Sequence, residues 1–350
     1  MDQQQVAQIR DAVQHNCHVA DAQHGSDYGL CTYLMKMREY FRWEKGLAFT
    51  DALANDEVGD WLTAREHLWA QLTDSEFLPI CIDGCSYDAF DISAINDALQ
   101  ELGLVYSGGL GNSGRPHFFL GEMERREVHS DYALLVSGRE LARDLAAPPA
   151  MMRDEMIFVR RESLRRMLWE KLESWRWRRP DNALGRAFSC YDFERDLNGS
   201  LEAMTDSELD LVLLHEQGEC RAGEWLGEQW NRMLLDLIHT PAELAARAVR
   251  DHMADCRVTL PGLSLLDRPA SVHFFMGNLG AMRKQLYPAL QSVYANWIGS
   301  GDGMLLGQAA AHGERHWKRV ADEMLALHRT HGKAAAGPLR ELAESSRLED

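Results

Sequence analysis

The sequence predicts a mainly α protein, with a C-terminal helical bundle and a small α+β subdomain in the N-terminal half. Three observations carry this. Apolar residues recur at helical spacing through most of the chain. Strand-like runs with turn signals are confined to residues 76–150. Two helix-start signatures, Thr205-Asp206-Ser207-Glu208 and Thr240-Pro241-Ala242-Glu243, punctuate the second half.

Residues 1–75 read as helices. Leu30, Leu34, Met37 and Phe41 form one stripe, with Glu44 next on it. A further helix over 57–72 carries Val58, Trp61, Leu62, Leu68 and Trp69. Residues 76–150 form the α+β segment. A helix from Phe90 to Leu102 ends at Gly103, and strands follow at 104–106, 117–120 and 132–136. Ala147-Pro148-Pro149-Ala150 reads as a boundary. Residues 151–185 form a basic connecting helix, and 186–331 the helical bundle. There, Thr205–Glu208 opens the helix that holds His215, and Thr240 opens one that runs to about Val258. Further helices are expected at 269–282, 286–298 and 304–330, and 332–350 as a loose polar tail.

The chain has 350 residues, 45% of them hydrophobic and 26% charged, as in ordinary soluble proteins. A net charge of -17 argues against wrapping nucleic acid, which needs a basic surface. No apolar run approaches the ~18 residues of a membrane span. Met1–Gln5 lacks a secretory pattern, and seven scattered cysteines fit reduced thiols, so a cytoplasmic location is expected. Cys81 and Cys85 are spaced too widely for a C-x-x-C pair and read as packed loop thiols. Gly109-Leu110-Gly111-Asn112-Ser113-Gly114 matches G-x-G-x-x-G, but Arg115-Pro116 and a strand follow where a dinucleotide site needs a helix. A hairpin loop is the expectation there.

The chemistry concentrates in the C-terminal half. The apolar run Leu209–Leu214 leads into His215-Glu216-Gln217-Gly218-Glu219. The next helix carries Asp251, His252 and Asp255, and a third carries His273. Charge among apolar neighbours is costly unless paired or metal-bound. On a helix His215 and Glu219 are i,i+4 neighbours, as are Asp251 and Asp255. Facing helices could therefore surround one or two metal ions with His215, Glu216, Glu219, Asp251, His252, Asp255 and His273, as carboxylate-bridged bundles do. Mixed imidazole and carboxylate donors favour iron or manganese, with zinc as the other option. Glu216 is the catalytic-base candidate. The zincin pattern fails, because Glu219 stands at the second histidine position. His312 and His316 form a further i,i+4 pair that either completes the site or faces water.

A second cluster, His15, Cys17, His18, Asp21 and His24, reads as a polar loop whose residue types all bind transition metals. This loop covering the C-terminal site, with Glu44 adding a carboxylate, is a further option. Residues 160–179 hold eight basic and three acidic residues with Trp169, Trp175 and Trp177. The segment suits an internal role or a partner-binding patch.

Asn16-Cys17, Asp21-Ala22, the run from Leu34 to Glu44, His215–Glu219 and Asp251-His252 together resemble an uncharacterised bacterial protein family with no assigned activity. The resemblance covers most of the chain and implies a bacterial cytoplasmic protein, with no catalytic assignment to transfer. The sequence thus points to a metalloprotein with a small-molecule substrate, of the non-haem iron or manganese oxidoreductase kind. The alternative is a non-catalytic regulatory or scaffold protein that binds a protein partner through 160–179.

Overall fold

The computed structural model describes residues 3–111, 114–153 and 155–349. The fold is mainly α with an α+β part in the N-terminal half, and the chain divides into two units at Trp169/Glu170.

The first unit opens with three helices, α1 (Gln3–His24), α2 (Leu30–Glu44) and α3 (Asn55–Leu72). A short hairpin follows, β1 (Ile80–Ile82) with β2 (Cys85–Tyr87), and then helix α4 (Ile92–Leu99). Asp91 caps α4 by accepting from the Ala94 amide, and Gly103 ends the helical stretch with a φ of 62°. Strands β3 (Leu104–Leu110), β4 (Pro116–Val128), β5 (Ala133–Arg143), β6 (Ala150–Arg153) and β7 (Met156–Arg160) build one sheet in the order β3-β4-β5-β7-β6. Neighbours are antiparallel except β5 and β7, which pair in parallel from Ala133↔Met156 to Ser137↔Arg160. One core lies between α1, α4 and the sheet, where Ile9, Val13, Cys17, Tyr106, Phe118 and Leu120 are buried. Each large apolar side chain buried there contributes roughly 1.5–3 kcal/mol.

Several expectations need correction here. The Ala147–Ala150 boundary is a connection inside the sheet, because the apolar run Ile157-Phe158-Val159 is buried as β7. The α2 stripe holds only in part. Met37 and Phe41 are buried, but Leu30 and Leu34 are exposed. Cys81 and Cys85 are exposed hairpin residues, not packed loop thiols, and out of register, Cys81 opposite Ser86 and Cys85 opposite Ile82. Gly109 and Leu110 belong to β3 and β4 starts at Pro116, a strand–loop–strand arrangement; Asn112 and Ser113 lie outside the described residues.

Helix α5 (Arg161–Arg176) carries the basic segment. Part of the charge of residues 160–179 is internal. Arg160 is fully buried in a two-pronged pair with Glu140, at 2.9 and 2.8 Å. Arg166 donates to the Glu39 carbonyl, Arg176 to the Phe193 carbonyl, and Trp169 is buried. Trp177 alone of the three tryptophans is widely exposed. Trp177, Arg178 and Arg179 at its end remain exposed.

The second unit is helical throughout its regular structure among the described residues. It contains α6 (Ala183–Ser189), α7 (Leu197–Asp236), α8 (Pro241–Ala254), α9 (Leu260–Leu265), α10 (Pro269–Asn278), α11 (Ala281–Leu286), α12 (Ala289–Ser300), α13 (Met304–His331) and α14 (Ala336–Ser345). Helix α7 breaks at Gly227, whose φ of 64° favours glycine. It starts at its cap Asp196, which accepts from the Gly199 amide. Thr205–Glu208 therefore lies inside the helix, not at its start. Thr205 hydrogen-bonds back to the Leu201 carbonyl at 2.6 Å, and Glu208 is buried. The Thr240 cap forms as expected, with the Glu243 amide donating to its hydroxyl and Glu243 accepting from the His239 amide. Helix α8 ends at Ala254 and passes through a π-helical turn, Asp255–Thr259, into α9. Such turns are rare and concentrate at functional sites. Residues 336–345, expected as loose tail, form α14, because Leu339 and Ala343 are buried. Among the described residues no helix is long and apolar enough to cross a membrane.

Candidate metal centre

Helices α7 and α8 run antiparallel where they meet, His215 facing Asp255 and Glu219 facing Arg250. Gly218 permits the approach. A Cβ there would stand 2.4 Å from the Ala254 carbonyl oxygen, inside contact distance. This close crossing brings together His215 and Glu219 from α7 with Asp251 from α8. One ligand atom from each lies within 4.8 Å of the others. Their side chains are 27%, 19% and 23% exposed, so the cluster is accessible from solvent.

Asp255 sets the histidine. Its Oδ1 lies 2.9 Å from His215 Nδ1, and Nε2 then faces Glu219 Oε1 at 3.5 Å. Orientation of one imidazole nitrogen by a carboxylate, with the other left for a ligand, is the usual arrangement around metal-bound histidine. Two arginines complete the network. Arg250 donates to Glu219 at 2.9 Å and lies 3.8 Å from Asp251. Arg283, from α11, pairs with Asp255.

These neighbours shift the titrations. Burial opposes ionisation of Glu219, but Arg250 and His215 outweigh it and hold the carboxyl well below its usual range. Burial also opposes the charge on His215, and the Glu219 carboxylate reverses that, raising it. Burial, then repulsion from Glu219, pushes Glu216 up to about 8 and raises Asp251. Glu216 is buried beside the cluster but is not one of the three converging ligands.

Two expected ligands lie elsewhere. His252 is fully buried in an aromatic slot, stacked on Trp317 at 4.9 Å and edge-on to Tyr287. Its Nε2 is taken by the Arg283 carbonyl at 2.9 Å, and burial followed by Arg283 lowers it to about 3. It follows Asp251 directly in the helix, so the two side chains leave different faces. His273 bonds Tyr294 at 2.7 Å and packs edge-on against Trp297. His316 bonds the Ser346 carbonyl, at 2.6 Å. Gly218, Arg250 and Arg283 were not legible in the sequence as parts of this site.

The N-terminal cluster does not converge either. Residues 15–24 are helical, not a loop, and four of the five side chains have partners of their own. Cys17 Sγ bonds the Phe118 carbonyl, His18 meets Arg65, Asp21 accepts from the Leu145 amide, and His24 meets Asp27. Glu44 is held by the Trp61 indole at 2.9 Å and by Arg65.

No curated protein and no solved structure matches the chain. Two family models do, and they cover nearly all of it. The N-terminal domain of a family of unknown function (DUF6866) matches residues 8–160, and the C-terminal domain of the same family matches residues 165–346. With both domains matched in order along one chain, the protein belongs to the DUF6866 family.

Proposed function

We propose that the second unit is a metal-dependent enzyme centre that holds one divalent transition-metal ion between His215 Nε2 and oxygens of Glu219 and Asp251. The observation that carries this reading is the geometry of His215, with Nδ1 held by Asp255, Nε2 facing Glu219, and Asp251 in the same cluster of ligand atoms. One imidazole with two carboxylates favours manganese or iron, with zinc as the other candidate. Three protein ligands leave coordination positions for a small-molecule substrate. Iron or manganese there suits oxidoreductase chemistry, and zinc would instead activate water. One ion replaces the one or two expected from sequence, since His252 and His273 are engaged elsewhere. Arg250 competes with the ion for Glu219, so loading displaces that guanidinium.

Elemental analysis of purified protein, stripped with chelator and reloaded separately with manganese, iron and zinc, tests this. One ion per chain is expected, lost in His215→Ala and in Asp251→Asn. Failure of all three metals to bind stoichiometrically would reduce the network to ion pairs that join α7, α8 and α11.

A further inference from the structure

A cavity of about 360 Å³ lies in the first unit, between the end of α1, the start of α2 and the C-terminal part of α3. Its size is at the low end for small-ligand pockets. Tyr28, Tyr33 and Trp69 supply its aromatic walls, and Glu66 and Asp21 its carboxylates. Gly25 forms part of the lining, and a Cβ placed on it would touch Trp69 at 3.7 Å and Tyr33 at 3.9 Å. The two rings therefore flank a space that the missing side chain leaves open.

These rings belong to a larger aromatic cluster that already attracts cations. Arg115 lies 4.6 Å and Lys36 5.4 Å from the centre of the Tyr28 ring. Arg65 lies over Tyr40 and Trp61, and Arg143 over Tyr40 and Trp43. Tyr33 and Trp69 complete the cluster, and among the described residues neither carries a protein cation on its face. They are also the two rings at the cavity. The Trp69 indole nitrogen is turned to His18, so its ring and not its polar edge serves the cavity wall.

The anionic partner is Glu66. Tyr33 donates to one of its oxygens at 3.0 Å, which places the carboxylate at the exposed side of the aromatic pair. A carboxylate has about four lone-pair sites, so this bond leaves acceptor capacity. Asp21, by contrast, is spent on the Leu145 amide. A cavity with aromatic walls and one carboxylate at its edge suits a cation of low hydration. A primary ammonium, strongly hydrated, would need several acceptors to replace its water.

We propose that this cavity binds an alkylated ammonium ion, seated between Tyr33 and Trp69 with Glu66 balancing its charge. Calorimetric titration of the full chain with choline tests it, run beside the neutral isostere in which carbon replaces the quaternary nitrogen. Choline is expected to saturate one site, to change tryptophan fluorescence, and to bind roughly tenfold or more tighter than the isostere. Glu66→Gln, at an exposed position, is expected to weaken choline and leave the isostere unchanged. Gly25→Ala, whose methyl makes ordinary contacts, is expected to weaken both. Equal affinity for choline and isostere overturns the proposal, as does absence of saturation by choline at millimolar concentration. Unchanged choline affinity in Glu66→Gln also overturns it, whatever Gly25→Ala does.

Discussion

Glu208→Gln should remove a pH-dependent contribution to the stability of the fold and reverse the order of variant and wild type between acid and neutral pH. Glu208 is fully buried in α7, and among the described residues its one hydrogen bond is from the Ser271 hydroxyl at 3.1 Å. Its other oxygen has no hydrogen-bond partner among the described residues. Burial raises its pKa to about 8, against the partial opposition of the Ser271 bond and Arg268. The folded chain therefore keeps the proton through neutrality while the unfolded chain releases it above its ordinary value of 4.5. The contribution to stability is complete below 4.5 and is lost as pH rises toward 8. At pH 7 the loss is up to roughly 3 kcal/mol. Glutamine has the same shape and no proton to lose, but its buried amide lacks an acceptor, at about 1 kcal/mol. The variant should thus be slightly less stable than wild type at pH 4.5 and more stable by roughly 2–3 kcal/mol at pH 7.5. Urea unfolding at half-unit pH steps reads the difference directly, because every other titration is common to both proteins. Parallel curves between pH 5 and 8 would show that Glu208 is ionised in the fold and would refute the reasoning.

Other substitutions separate packing from ligation. Gly218→Ala should destabilise by roughly 1–3 kcal/mol and abolish metal loading, since its methyl meets the α8 backbone. Gly223→Ala, in the same helix with open space around it, should stabilise by about 0.5–1 kcal/mol, and thermal melts of the two give opposite signs. His252→Ala should lose roughly 2–4 kcal/mol from its aromatic slot yet still bind metal, whereas His215→Ala should lose metal binding, as paired melts and metal analysis will report. Arg160→Met should cost about 3–5 kcal/mol by stranding the buried Glu140 carboxylate, and Arg160→Met with Glu140→Gln should recover most of that in denaturant unfolding.

Much of the helical order was legible because amphipathic spacing and caps are local. Thr240, Pro241 and Glu243 specify their helix start without help from the rest of the chain. The same signature at Thr205–Glu208 misled, because Asp196 had already started that helix and burial recruited Glu208 to the interior. Strands β6 and β7 went unread, since a Pro-Pro step looks like a boundary and only the parallel pairing with β5 shows otherwise. At the candidate centre, i,i+4 spacing picked out His215 and Glu219 correctly as neighbours. It could not tell which way His252 and His273 would turn. Those rings were decided by Trp317, Tyr287, Tyr294 and Trp297, residues far away in the chain.

From the sequence alone came the mainly helical class, the concentration of ionisable groups near residues 215 and 251, and the acidic surface. Periodicity and composition are properties of neighbours along the chain, so they survive without a fold. Tertiary structure decided which charges meet. The methyl that Gly218 lacks lets two backbones touch, and that contact, not any motif, sets His215 and Glu219 against Asp251, Asp255 and Arg250.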